Sequence, residues 1–562
     1  MQLIPWNEQR ERVFLDRYAK KDAEGHPVES TPREMWERVA KRVGENDGEA
    51  LQFFEILKDW QFVPSGRILT GGMTLYNCFV QGFAKTVLGA DSRSSIMATT
   101  SNAVEITARG GGVGINWSVL RPRDTYIRGV DGKSSASIAW MRGADGFIDA
   151  IRQGGTRTAA LMFMLDVWHP DIIEFTRTGS RFNRANYSVG ITDAFMAAVK
   201  NDAQWNLVFP DTTSPFYNRE WDGDIGDWWA KGLPAPVYKT VQARTLWRAL
   251  CESAYMTGNP GLGFMDRCNR WSNTHYLHRL VCFNPCGEQP LPVDGSCNLG
   301  SINLLAAIKD GVVQWEKLGM LVRYAVRFLD RVIDVDQGMT TEIDNLQGYV
   351  HHIGLGTMGL ADVLILMGMR YGYDQSIEFI RKLYSFIRDQ AYEASVDLAI
   401  EKGPAPGFQN EAFAKGRFIQ TLPEALQERI YTHGIRNLAL LTQAPTGTTS
   451  ILAGASSGIE PIFSTDYTRT DATGCTTVRH PLADHPKMIT ALEVPVPDHI
   501  KVQAVLQEYL DSSISKTINL PKDSTVEDVD QAYQLSYAMG CKGVTVYRTG
   551  SEDGVLCESC NI

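Results

Sequence analysis

From about Ile68 onward, short apolar stretches, Gly-rich turns and helical patterns follow one another through most of the chain. Strands that alternate with helices need the crossovers of a parallel sheet, so this pattern implies an α/β core with parallel strands. Ala108–Pro122 (ARGGGVGINWSVLRP) and Gly154–Pro170 (GGTRTAALMFMLDVWHP) each put a Gly-rich loop beside an apolar, strand-like run. Helical spacing is clearest over about 241–256, 314–333 and 376–402, the last ended by Gly403-Pro404. Ahead of this alternation lies a helical region. Thr31-Pro32-Arg33-Glu34 is a capping box, Met35, Val39 and Val43 share one face, and Gly44 supplies the stop. It reads as packing without chemistry. The expected division is a helical region over 1–66, the α/β core over 67–545 and a small, polar tail over 546–562.

Composition removes several function classes. Of 562 residues, 44% are hydrophobic and 21% charged, the profile of a folded chain and not a disordered one. Fifty-five basic against 65 acidic side chains leave a net charge of −10, which argues against a nucleic-acid binder. Apolar runs such as Ala159–Leu165 fall far short of the roughly 18 residues that span a bilayer. No basic region followed by an apolar stretch opens the chain, so the expectation is a cytoplasmic protein that meets no membrane.

Ten cysteines are too dilute for a disulfide scaffold and should stand as thiols unless chemistry employs them. Phe283-Asn284-Pro285-Cys286-Gly287-Glu288-Gln289 carries the most weight. A cysteine between Pro and Gly sits on a tight loop, where Asn284, Cys286 and Glu288 can share one space as orienter, sulfur reagent and general base. Taken alone, Cys78 (TLYNCFV) and Cys297 (GSCNLGS) read as small core hydrophobes. Ala444–Ser450 (APTGTTS) offers consecutive N–H groups and four hydroxyls where a helix could start, either a phosphate cradle or a simple turn. Gly354–Gly359 (GLGTMG) matches a dinucleotide fingerprint, but His351-His352-Ile353 makes a poor strand. It reads as close helix packing. His351/His352 and His480/His485 lack a third ligand, so no metal is expected. Cys557-Glu558-Ser559-Cys560 has thiol–disulfide spacing on a tail suited to carrying electrons.

Together these motifs resemble the catalytic chain of ribonucleotide reductases. FVPSGRILTGG, TLYNCF, ARGGGVGIN, RQGGTRTAA, NPCGE, SCNLGSINL, IGLGTMGLADVL, APTGTTSILAGASSGIEP and KGVTVYR carry the likeness from about Pro64 onward. The chain has no Tyr-Tyr pair near its end, as oxygen-dependent members have, and no C-terminal glycyl-radical stretch. With Glu288 present, it resembles the adenosylcobalamin-dependent class II enzymes. The resemblance implies a ten-stranded α/β barrel with Cys286 on a finger loop inside it. It also implies reduction of ribonucleotides, diphosphates by expectation, to 2′-deoxyribonucleotides through a thiyl radical on Cys286. Glu288 would act as base, Asn284 would hold the sugar hydroxyls, and Cys78 with Cys297 would supply the reducing equivalents and end as a disulfide. Thr446, Gly447, Thr448 and Thr449 would cradle the substrate phosphates, with Ser65 and Asn77 nearby. Asp91, Arg121, Gln153 and Arg157 match an allosteric dNTP specificity site, and Cys557 and Cys560 a redox tail served by thioredoxin or glutaredoxin. A homodimer is implied, without nucleic acid. The alternatives are a reductase fed its radical by a separate subunit, and a nucleotide-sensing protein on an inactive reductase scaffold.

Overall fold

A computed structural model describes residues 4–551, apart from 128, 154–156, 178–181, 337 and 472–473. Three N-terminal helices come first: α1 (Glu8–Arg17), α2 (Pro32–Val43) and α3 (Asp47–Leu57). The capping box of α2 forms as its residues dictate, with Thr31 and Glu34 exchanging side-chain and backbone bonds, and Gly44 caps the other end.

Ten strands make one sheet. In chain order they are β1 (Phe62–Pro64), β2 (Cys78–Gln81), β3 (Gly112–Asn116), β4 (Leu161–Asp166), β5 (Ala185–Ile191) and β6 (Gly261–Phe264). A two-stranded hairpin, β7 (Cys282–Phe283) and β8 (Pro290–Leu291), stands apart from it. The sheet resumes with β9 (Ser296–Asn303), β10 (Ile353–Met358), β11 (Thr517–Leu520) and β12 (Gly543–Arg548). The order is β1-β9-β2-β3-β4-β5-β6-β12-β11, with β10 on the other edge of β9.

The strands are not all parallel, which corrects the sequence expectation. Strands β2 to β6 run parallel to one another. So do β9 with β10 and β11 with β12. Parallel bridges Leu355↔Leu441 and Gln443↔Ile514 join these two pairs, so the ladder returns on itself as a barrel. Two five-stranded parallel halves, one of them completed by the segment around Leu441–Gln443, therefore meet at two antiparallel seams, β2/β9 and β6/β12.

Alternation along the strands sorts side chains between two regions. On β4, Leu161, Phe163 and Leu165 pack outward, while Met162 and Met164 join Cys78, Val80, Phe283 and Cys297 in a small central cluster. The outer faces are covered by helices, among them α4 (Arg93–Ala108), α5 (Ser137–Asp149), α6 (Trp315–Val335) and α7 (Asp374–Lys402). Among the described residues no helix is long and apolar enough to cross a membrane.

Candidate active site

The β7/β8 hairpin enters the barrel because the strands around it carry no side chains there. A β-carbon on Gly114 would stand 1.8 Å from the Phe283 carbonyl oxygen, and one on Gly263 would stand 2.5 Å from the Phe283 ring. The Gly-rich stretch read as a loop beside a strand thus has Gly112 and Gly114 within β3, under the hairpin. At the tip, the Asn284 N–H donates to the Gln289 carbonyl (3.0 Å) and the Gly287 N–H to that of Asn284 (3.0 Å). The Asn284 side-chain oxygen accepts from the Gln289 N–H at 3.0 Å. Gly287 takes φ = +81°, a conformation that disfavours a side chain. Asn284, Cys286 and Glu288 all belong to this turn, between strands β7 and β8.

Cys78 and Cys297 are register partners across the β2/β9 seam. Residues directly opposite in an antiparallel pair have Cα atoms about 4.5–5.5 Å apart, inside the window a disulfide needs. Both are free thiols and fully buried. Burial first, and then the nearby Glu288 carboxyl, push both thiols well above the ordinary cysteine range. They are S–H groups at neutral pH, so they can donate hydrogen and do not act as thiolates. The Cys78 sulfur donates to Glu288 Oε1 at 3.5 Å and accepts from Asn284 Nδ2 at 3.1 Å. The Glu288 backbone carbonyl accepts from Thr442 Oγ1 and from the Ser513 N–H, both at 2.9 Å. The hairpin tip is thereby tied to the two segments that close the barrel.

Cys286 differs from the pair in being only half-buried. It lines a partly open cavity of about 150 Å³ on the side of the second seam, together with Met162, Gly261, Gly263, Gly543 and Lys516.

The other expected residues divide. Ser65 and Asn77 border the thiol seam: their N–H groups donate to Leu299 and Cys297 carbonyls at 2.9 and 3.0 Å. Ser65 Oγ and Asn77 Oδ1 are buried with no hydrogen-bond partner among the described residues, as a polar ligand's partners would be. The APTGTTS stretch does begin a helix, α8 (Gly447–Ala453), with Thr446 and Gly447 at positive φ. Its hydroxyls, however, turn onto the scaffold. Thr448 bonds Tyr18, Thr449 donates to the Thr446 carbonyl (2.5 Å), Ser450 donates to that of Gly447 (2.7 Å), and Thr446 accepts from the Gly458 N–H (2.8 Å).

Asp91 and Arg121 lie together, bonded to each other in two places (2.5 and 3.1 Å), and Tyr217 also donates to Asp91 at 2.8 Å. A ligand phosphate at Arg121 would compete with that carboxylate. Gln153 and Arg157 are register partners on a two-residue antiparallel ladder; residues 154–156 between them, and Cys557 and Cys560, lie outside the described residues.

GLGTMG requires a correction. Gly354–Met358 lie in strand β10, and its glycines make room for neighbouring strands: a β-carbon on Gly356 would meet the Thr442 carbonyl at 2.7 Å, and one on Gly354 would meet Cys297 Sγ at 2.9 Å and Gln289 Nε2 at 3.0 Å. His351 and His480 each face a buried carboxylate, Asp330 and Asp362. Sequence reasoning missed Thr442 and Ser513, whose only signal was nearness to APTGTTS and to the closing strand. It also missed Gln289, fully buried, whose side-chain amide has no partner among the described residues. Its place directly after Glu288 was the available clue.

Comparison with known proteins agrees with this geometry. The family model "Ribonucleotide reductase, barrel domain" matches residues 76–487 and 477–547, and "Ribonucleotide reductase, all-alpha domain" matches 7–75. The chain is 32% identical to a vitamin B12-dependent ribonucleoside-diphosphate reductase of Mycobacterium tuberculosis, over 97% of this chain and 80% of that one. It is 33% identical to a protein of the same description from Thermoplasma acidophilum, over 89% of this chain and 65% of the other. A ribonucleoside-diphosphate reductase subunit alpha of Chlamydia muridarum is 28% identical over 82% of this chain and 48% of its own length.

Proposed function

Because the chain belongs to the ribonucleotide reductase family as a catalytic chain, we propose that it reduces ribonucleoside diphosphates to 2′-deoxyribonucleotides with adenosylcobalamin as its radical source. The observation that carries this reading is the thiol pair Cys78/Cys297, in register across one seam, with Glu288 at 3.5 Å from Cys78 and Cys286 on the same hairpin. The B12-dependent relatives favour this radical source over a separate subunit.

The residues fit such a cofactor. Gly261, Gly263 and Gly543 thin one wall of the Cys286 cavity, Lys516 and Thr517 offer polar groups on it, and Cys286 is the half-buried thiol that lines it. When bound there, adenosylcobalamin supplies the one-electron chemistry that leaves a thiyl on Cys286. The Cys286 thiyl takes the 3′-hydrogen of the ribose, whose C–H is too weakly acidic for polar chemistry. Glu288 accepts the proton of the 3′-OH while Asn284 holds the sugar hydroxyls. The 2′-C–O bond breaks and the oxygen leaves as water, with a proton from the Cys78/Cys297 pair. The two thiols give up two electrons and two protons in all, forming one S–S bond while C2′ gains hydrogen. Cys286 then returns a hydrogen to C3′, so it is not consumed. The high thiol pKa values suit this role, since both sulfurs must keep their hydrogens until the substrate calls for them.

Residues 446–449 form the phosphate seat through the backbone at the start of α8, with Ser65 and Asn77 beside the sugar. Asp91, Arg121, Gln153 and Arg157 form the dNTP specificity site, in which the effector displaces Asp91 from Arg121. A homodimer forms through α4 and α5, whose outward faces carry exposed Met97 and Phe147 and the open Gly143 and Gly146. Cys557 and Cys560 pass electrons inward from thioredoxin or glutaredoxin.

The test is an assay of CDP reduction by the purified chain with a small dithiol. Deoxynucleotide should form when adenosylcobalamin alone is added. Activity that instead requires a metal-loaded second protein, and ignores adenosylcobalamin, would remove the assignment.

A further inference from the structure

The N-terminal helices read as packing alone, yet α1 reaches into the barrel's substrate end. Arg10 is 1% exposed. Its Nε donates to the Leu452 carbonyl at 3.0 Å, Nη2 bonds the same oxygen, and Nη1 donates to the Ile4 carbonyl at 2.5 Å. Burial lowers its pKa to about 10, so the side chain stays cationic at neutral pH. Leu452 lies in the last turn of α8, where carbonyls have no partner within the helix and the helix dipole is negative. A buried cation there answers both needs. At the other end of α8, the fully buried Tyr18 hydroxyl bonds Thr448 Oγ1. Two residues at either end of one N-terminal helix therefore grip both ends of α8. A helix of seven residues has no stability of its own, so its position is set by what holds it.

We propose that Tyr18 and Arg10 are positioning residues for substrate phosphate, and that α1 aligns the 446–449 backbone with the ribose chemistry. This rests on the reading of 446–449 as the phosphate seat. Removing the Tyr18 hydroxyl leaves Thr448 Oγ1 buried without its partner, so the loop must shift or carry the loss in every bound state. The phosphates should feel this and the nucleoside portion should not.

The experiment measures equilibrium binding of a ribonucleoside diphosphate and of its parent nucleoside to the full chain. Tyr18→Phe should weaken the diphosphate about three- to tenfold and leave the nucleoside unchanged. Thr448→Val cuts the same bond from the other side, so it should match Tyr18→Phe, and the double variant should be no worse than either single one. Val13→Ala, a buried site on the same helix, should lower the melting temperature while leaving the diphosphate Kd at its wild-type value. Gly447→Val tests the seat itself, because φ = +39° there disfavours a branched side chain. Wild-type binding by Gly447→Val would remove the seat, and this proposal with it. Weak binding by Gly447→Val beside wild-type binding by Tyr18→Phe would overturn the proposal alone. Equal weakening by Val13→Ala and Tyr18→Phe would also overturn it, since bulk stability would then explain the effect.

Discussion

The barrel's two antiparallel seams have the same backbone relation and opposite contents. At β2/β9 the facing residues are Cys78 and Cys297, sealed from solvent and in contact with the hairpin tip. At β6/β12 the facing residues are Leu262 with Val544 and Gly263 with Gly543, and the missing side chains leave room for the hairpin and the open cavity. One seam holds two free thiols buried from solvent, where the proposed chemistry needs its two reducing equivalents. The other leaves Cys286 half-buried on an open cavity, where the proposed radical source would reach it. Side chains, and not strand direction, decide which seam does which.

The largest effect should come from the residue between the seams. Cys286→Ser should abolish deoxynucleotide formation altogether, because an alcohol O–H bond is too strong to relay the hydrogen. Glu288→Gln keeps the shape of the side chain and should cost about 10²–10⁴ in turnover while nucleotide binding stays near wild type. A Glu288→Gln variant at full turnover would take that carboxylate out of the chemistry and leave Cys78 without its proton partner. A smaller effect is expected from filling the open seam. Gly263→Val places carbon against the Phe283 ring, where a β-carbon alone would stand at 2.5 Å. It should destabilise the fold by about 1–3 kcal/mol and lower turnover by displacing the hairpin, as seen in denaturant unfolding and steady-state rates. Unchanged turnover would show that the hairpin is placed by the thiol seam alone.

Much of this was legible in the residues because it is local. A capping box is set by four neighbouring positions, and Pro-Cys-Gly with its flanking amide and carboxyl can form only a tight, polar turn. The direction of strand pairing is not local: whether β9 runs with or against β2 depends on partners more than 200 residues apart. Glycines misled for the same reason. Gly112, Gly114, Gly354 and Gly356 look like loop residues in sequence, but each is in a strand because another backbone or side chain occupies the space a β-carbon would need. The APTGTTS hydroxyls and the Asp91–Arg121 pair were legible as residues but not as contacts, since a side chain's partner is chosen by the fold.

The most direct test follows a single turnover of the fully reduced chain with CDP and adenosylcobalamin, without external reductant, and then maps thiols and disulfides by mass spectrometry. The account predicts a Cys78–Cys297 disulfide formed in step with deoxynucleotide, and Cys286 recovered as a free thiol. Deoxynucleotide formed while Cys78 and Cys297 both remain thiols would contradict it.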